Sequence, residues 1–328
     1  MLAFLQKDLI PQIPLDNWTD RFVDYVQDIE VIEEFFDLVK DGIGGFVGVL
    51  ESILTAPPEL LMVALFAALA FFVSGWRVAL FTVIGFLLIV SLGLWEATML
   101  SLALVLAATV ASLLIGVPIG VLAAKSKATE AAVRPTLDIM QTMPAFVYLV
   151  PMVVFLGLGG TPALVATVIF AAPPAVRLTM LGIQQVPKNT VEAAHAFGAT
   201  PWQTLRKVEL PQALPTIMAG VNQVIMLALS MVVIAALVGA GGLGEAVVRG
   251  LSQLDVGRAF VGGVGIVIIA IYLDRVTRPL GSLIQRKPGK GGGKLSKVLP
   301  GRKKSSVDPD TAGSSGAGAE ETVGAGAR

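Results

Sequence analysis

Glu192 to Pro211 reads EAAHAFGATPWQTLRKVELP, a polar and charged stretch set between two long apolar runs. Glu192-Ala193-Ala194 is followed by three residues and Gly198, then by nine residues and Val208, one further residue, and Leu210-Pro211. A stretch of this kind between apolar runs is the pattern of a membrane protein with a docking loop. Its local chemistry predicts two short helices at an angle. Asn189 or Thr190 can cap the first, and Gly198 can end it in the left-handed conformation that glycine adopts at little cost. Thr200-Pro201-Trp202-Gln203 predicts a capping box, with Thr200 at the N-cap, Pro201 at the first helical position and Gln203 at the third. Pro211 and Pro215 should limit further helix. Ala193, Ala194 and Ala196 leave room for another surface to approach, and Glu192 offers a carboxylate near a helix start. The bland alternative is a solvated loop between membrane helices.

The rest of the composition agrees with a membrane setting. Of 328 residues 55% are hydrophobic and 15% charged, with a mean hydropathy of +0.78. Soluble domains carry about 25% charged residues, so apolar side chains here must face lipid as well as each other. Net charge is zero, yet the charges are sorted. Residues 1–60 hold twelve Asp and Glu against three Lys and Arg, a balance of −9, whereas residues 275–328 hold eleven Lys and Arg against four Asp and Glu, a balance of +7. There is no cysteine, which excludes disulfides, thiolate zinc sites and iron-sulfur clusters. Met1 to Ile10 lacks the apolar core of a signal peptide.

Leu60 to Leu94 is apolar except for Arg77; as one helix it would run about 52 Å against a hydrocarbon core of about 30 Å. It is therefore read as two spans that turn at Ser74-Gly75-Trp76-Arg77. Further runs at Ala97–Ala124, Met140–Leu158, Thr161–Gly182, Pro215–Ala240 and Ala259–Leu273 bring the expectation to seven transmembrane helices. Lys125, Lys127 and Arg134, then Lys188, Arg206 and Lys207, then Arg275, Arg278, Arg286 and Lys287 occupy alternate linkers, which the positive-inside rule makes cytoplasmic. Seven spans then put the acidic N-terminus outside and the C-terminus in the cytoplasm.

The expected organisation is an acidic, amphipathic, extracytoplasmic region at 1–57, a transmembrane domain at 58–282 with its cytoplasmic loop at 184–212, and a basic tail at 283–328. Trp18, Phe22, Tyr25, Phe35, Phe36 and Val39 recur among acids at helical spacing, which predicts a helix on the outer membrane surface or packed on the spans. The tail, rich in Gly, Ser, Ala and Lys, has little to bury and is read as a disordered cytoplasmic segment without a nucleic-acid role.

The loop's spacing resembles the EAA signature of ATP-binding-cassette importer permeases, with Val208 where that signature has Ile. Other stretches are similar to the glycine betaine and proline betaine permease subfamily: Gln141 to Pro151, Phe170 to Thr179, Met218 to Gln223, Leu227 to Ala235, Gly241 to Gly244 and Gly262 to Val267. The resemblance covers about residues 95–282. It implies an all-α, polytopic type I importer permease in a bacterial or archaeal inner membrane. It further implies a permease homodimer, two copies of an ATPase subunit that binds ATP and Mg, and an extracytoplasmic binding protein that delivers solute. Glu192, Ala193, Ala194, Gly198, Leu210 and Pro211 would then belong to the coupling loop on the ATPase. Choline, carnitine, proline and methionine stay open as alternative solutes.

Four polar residues within or beside the spans, Thr142, Tyr148, Asn222 and Ser230, are candidates for the pathway lining, with interhelical hydrogen bonding as the other reading. Pro144, Pro151, Pro173 and Pro174 should interrupt or bend helices. Arg177, near the inner end of the fifth span, should snorkel to the interface. His195 is the sole histidine, so no His-rich metal site or Ser-His triad can form. Gly289 to Lys294 fails as a phosphate loop because Pro288 and Leu295 stand where Gly and Ser or Thr are needed. Neither catalysis nor a cofactor is expected of this chain. A transporter driven by an ion gradient predicts carboxylates at mid-membrane, and none of the seven apolar runs contains one.

Overall fold

A computed structural model describes residues 17, 18, 21 and 25 and the continuous stretch 29–285. The expectations for Phe22 and for the tail beyond residue 285 fall outside the described residues. Every regular element described is a helix: α1 (Glu30–Thr55), α2 (Glu59–Ser74), α3 (Trp76–Ser91), α4 (Trp95–Lys125), α5 (Lys127–Thr142), α6 (Ala145–Leu156), α7 (Gly160–Gln184), α8 (Lys188–Ala196), α9 (Pro201–Thr204), a π-turn (Leu205–Glu209), α10 (Leu210–Ala236), α11 (Gly242–Ser252) and α12 (Val256–Gln285).

Among the described residues four helices are long and apolar enough to cross a membrane: α4, α7, the run Pro201–Ala236 that includes α10, and α12. Two bent pairs pass the same test together, Glu34–Thr55 with α2 at 97° and α5 with α6 at 95°, and α3 is a shorter apolar helix. The seven expected runs thus each find helix, though not each as a straight span. Sixteen-residue α2 and α3 reach about 24 Å each at 1.5 Å per residue. They part where expected, at Gly75, whose φ of +94° suits a residue without a side chain. The fourth run is divided instead. Twelve-residue α6 starts after Pro144, which offers α5 no N–H, and Met143 before it is in extended backbone (ψ 132°).

The other prolines correct the expectation of interruption. Pro151 lies inside α6, Pro173 and Pro174 inside α7, and Pro215 inside α10. Pro173 and Pro174 are buried, and packing on both sides holds α7 continuous through them. One turn earlier, Ser112 Oγ of α4 donates to the Val168 carbonyl over 3.3 Å.

Small residues bring α7 against its neighbours. A Cβ on Gly116 would lie 2.6 Å from Ala175 Cβ, and one on Gly120 would lie 2.6 Å from Thr179 Cβ and 2.7 Å from the Val176 carbonyl. Gly182 and Gly220 bring α7 and α10 together in the same way, with added Cβ atoms 3.0 Å from Thr216 and 3.1 Å from Leu178. Toward the other end, Phe66, Phe86, Trp95 and Tyr272 form an aromatic cluster with ring centroids 5.0 to 6.3 Å apart. It joins α2, α3, α4 and α12. The Gly241-Gly242-Leu243-Gly244 turn into α11 is wedged between α4 and α10. A Cβ on Gly242 would meet Ser101 Oγ at 2.4 Å, and one on Gly244 the Val232 carbonyl at 2.2 Å. Ser101 Oγ accepts the Leu243 N–H over 2.8 Å.

The amphipathic N-terminal helix is α1. Leu54 is buried, and Ile43, Val47 and Leu50 pack on the main core, while Phe36 stacks on Phe155 of α6 at 4.9 Å. Of its two expected placements, packing on the spans describes this face.

Candidate functional site

The 184–212 loop leaves the bundle as a double turn of two short helices, α8 and α9. Helix α8 begins after Pro187 without a side-chain cap, a correction to the expected cap at Asn189 or Thr190. Asn189 Oδ1 does accept the Thr190 N–H at 2.9 Å, but both residues already lie inside the helix. The end of α8 follows its sequence. Gly198 has φ +80°; its N–H bonds to the His195 carbonyl at 2.9 Å, and the Ala199 N–H bonds to the Ala194 carbonyl at 3.0 Å. This is a Schellman motif, which satisfies carbonyls that the last helical turn leaves open. His195 is held locally, with Nδ1 3.3 Å from the Ala199 carbonyl.

Thr200 then forms the predicted capping box. Its hydroxyl accepts the Gln203 N–H at 3.3 Å, and Gln203 Oε1 accepts the Thr200 N–H at 3.0 Å, with Pro201 opening α9. Beyond Thr204 the backbone widens into the π-turn, closed by the Leu210 N–H on the Leu205 carbonyl. Pro211 offers no N–H and would crowd the carbonyl four residues earlier in an α-helix, so one extra residue in the turn relieves it. Helix therefore runs on through Pro211 and Pro215 into the membrane, where the sequence reading expected it to be limited.

None of the residues of α8 is buried. Glu192 and Ala193 are exposed, Ala194 is half-buried, and Gly198 is exposed at the tip. Phe197 and Trp202 are 92% and 66% exposed, a large apolar presentation for a segment of such polarity. Leu210 faces the other way, into a cluster of Ile183, Leu205, Ala213 and Ile217 with Val117, Val121 and Ala124 of α4. Pro211 is exposed at the start of α10. Of the six loop residues, Glu192, Ala193, Ala194 and Gly198 thus lie on α8 or just after it, away from the core, Leu210 anchors the start of α10, and Pro211 is exposed beside it.

The four candidate pathway residues do not converge on one site. Tyr148 is buried and its hydroxyl donates to the Met140 carbonyl at 2.6 Å. Asn222 joins α10 to α12: its Nδ2 donates to Asp274 Oδ1 at 3.3 Å, and its Oδ1 accepts from Thr277 at 2.6 Å. Thr142 and Ser230 are exposed and donate to carbonyls of their own helices, Ile139 and Met226, at 2.9 Å. Ser230 belongs to an uncovered stripe of α10 with Pro215, Ala219, Gln223 and Met226.

Three ionic features escaped the sequence reading. Asp274 lies inside α12, because that helix runs past Leu273, and its carboxylate faces Arg278 Nε at 2.7 Å as well as Asn222. Glu209, inside the loop, is buried and paired with Lys125 at the end of α4. Arg177 pairs with Asp138 of α5, a protein partner rather than the expected interface alone. The i,i+4 spacing of Asp274 and Arg278 was a usable signal; the other two pairs join distant parts of the chain.

The family described as "Binding-protein-dependent transport system inner membrane component" matches residues 116–285, which contain this loop and the helices on either side of it. The chain belongs to this family. The permease is 50% identical over 271 residues to the glycine betaine transport system permease protein OpuAB of Bacillus subtilis (strain 168), covering 83% of this chain and 95% of that protein. It is 47% identical over 269 residues to the glycine betaine/proline betaine transport system permease protein ProW of Escherichia coli (strain K12), covering 82% of this chain and 75% of that one. Among solved structures it is similar to an inward-facing form of the MetNI methionine ABC transporter, with a TM-score of 0.49 and 28% identity over 57% of this chain and 92% of that one.

Proposed function

We propose that this permease forms the membrane pathway of an ATP-driven importer for glycine betaine, proline betaine or a related quaternary ammonium solute. The observation that carries the solute class is the 50% identity to a glycine betaine permease across 95% of that protein's length. Coupling rests on the loop. An exposed α8 with Phe197 at its end and Trp202 on the adjoining α9 offers a surface for the cleft of an ATPase subunit, which binds ATP and Mg. The continuous helix from Pro201 to Ala236 then carries displacement of the tip into the bilayer.

One loop serves one ATPase subunit, so two permease copies pair around a central route and two ATPases close on it. The uncovered stripe of α10, with Gln223 and Ser230 among apolar residues, supplies polar groups that suit a wet route better than lipid. Thr142 lies on the exposed end of α5 and is retained for the lining. Tyr148 and Asn222 support the helices behind it, since their polar groups are already bonded within the protein. An extracytoplasmic binding protein delivers solute at the N-terminal, outer face, and the basic linkers and C-terminus lie in the cytoplasm. The acidic region 1–57, the membrane domain 58–282 and the tail 283–328 remain the working division of the chain.

The test is uptake of labelled glycine betaine into proteoliposomes that hold the permease with its ATPase and binding protein, with and without ATP. ATP-dependent uptake is expected. ATP hydrolysis with betaine left outside would overturn the solute assignment; uptake of choline, carnitine, proline or methionine in its place would identify the cargo.

A further inference from the structure

The geometry points to Lys125 and Glu209 as a positioning pair that transmits movement of the docking loop to α4, a helix that the loop does not reach through the backbone. This rests on the coupling role proposed above and names the contact through which it spreads.

Glu209 occupies a core-facing place. Leu205, Glu209, Ala213 and Ile217 recur every four residues, and all four are buried. The carboxylate side chain retains only 6% exposure, whereas the lysine side chain that meets it retains 42%. An ionised carboxylate is costly to bury without a partner, so its place among Leu205, Ala213 and Ile217 needs an explanation beyond packing. The π-turn supplies the local one: the extra residue ahead of Pro211 sets the facing of Glu209 against the end of α4. Lys125, in the last turn of α4, also faces the negative end of that helix's dipole. Its ammonium therefore meets the Glu209 carboxylate at a place where the helix dipole also favours positive charge.

The route from tip to α4 is short. Helices α8 and α9 stand on the π-turn, and the π-turn meets α4 through the ion pair and through Leu205 and Leu210, which pack with Val117, Val121 and Ala124. The apolar part of this contact can slide, since dispersion contacts have no fixed direction. The ion pair is directional, and parting it would leave a carboxylate buried and alone. It thus keys the loop to α4 in one register.

The chain contains no cysteine, so Leu122→Cys, at a 60% exposed site on α4, gives each permease copy a single thiol. Labelling by a membrane-permeant maleimide, with and without ATP, reads movement of α4 independently of any solute. In this background ATP is expected to change the labelling rate severalfold. Glu209→Gln, close in shape and uncharged, should abolish the change while the complex still assembles with its ATPase. The double exchange Lys125→Glu with Glu209→Lys should restore at least half of it. An ATP-dependent change of wild-type size in Glu209→Gln would overturn the pair's role, and so would no change in the parent background. Betaine uptake measured on the same samples separates the two readings: labelling that responds to ATP without betaine uptake removes the solute assignment and leaves the pair standing.

Discussion

The hydroxyl of Tyr148 donates to the carbonyl of Met140 across 2.6 Å, and so fills the bond that Pro144 cannot make. In a continuous helix the Met140 carbonyl would accept from residue 144, which has no N–H. The chain bends there by 95°, and the tyrosine, one turn into α6, reaches back over the bend. Its ring also packs at 6.2 Å from Phe170 of α7. A bond of this kind determines whether two short helices meet at a fixed angle or hinge.

Tyr148→Phe removes the donor and keeps the ring. The Met140 carbonyl then loses its partner in a partly buried place, at a cost of about 1–2 kcal/mol. Thermal unfolding of the detergent-solubilised permease should show a lower midpoint, and proteolysis should cut sooner around residues 142–145. An unchanged midpoint and cutting pattern would remove the hydroxyl from the account of the bend.

The approach of α4 to α7 depends on residues without side chains. Gly120→Val would place carbon 2.6 Å from Thr179 Cβ, and overpacking of this kind costs about 1–3 kcal/mol. Gly263, in α12, has nothing within 4 Å of an added Cβ. Gly263→Ala should leave stability unchanged or raise it by up to about 1 kcal/mol through helix propensity. Unfolding midpoints of the two variants, measured side by side, should move apart; equal shifts would contradict the close packing of α4 and α7.

Gly198 ends α8 with φ +80° and has open space around it. A substitution there meets a backbone penalty of about 1 kcal/mol, with no clash. Gly198→Asp should therefore leave the bundle's unfolding midpoint nearly intact while lowering ATPase co-purification and ATP-driven uptake at least tenfold. A variant that still binds the ATPase and transports would place the docking surface elsewhere.

Thr200→Ala removes the hydroxyl that accepts the Gln203 N–H and keeps the backbone N–H that Gln203 Oε1 accepts. The loss is about 1 kcal/mol, confined to α9 and the turn before it. Hydrogen exchange at Gln203 and Thr204 should quicken about fivefold, with the amides of α7 and α10 unaffected. Protection spread evenly over the loop and the spans would instead mean that the loop opens only with the whole bundle.

The sequence by itself determined the membrane class, the position of each apolar run, the turn at Gly75 and the two loop motifs at Gly198 and Thr200–Gln203. Apolar length against bilayer thickness is a one-dimensional quantity, and caps act within four residues, so both are written locally. Only the tertiary structure decided the rest. Packing on both faces carries α7 through Pro173 and Pro174, whereas Pro144, with Tyr148 behind it, makes a bend. The same proline chemistry gives opposite results because the neighbours differ. Glu209 and Lys125 are far apart in sequence, Glu209 reads there as one more loop charge, and its burial depends on where α4 ends. Asn222 likewise reads as either a pathway group or an interhelical hydrogen bond, and only the placement of Asp274 and Thr277 of α12 supplies the bonding partners. These are three-dimensional facts: a polar side chain takes its role from its surroundings, and those are set when the helices pack.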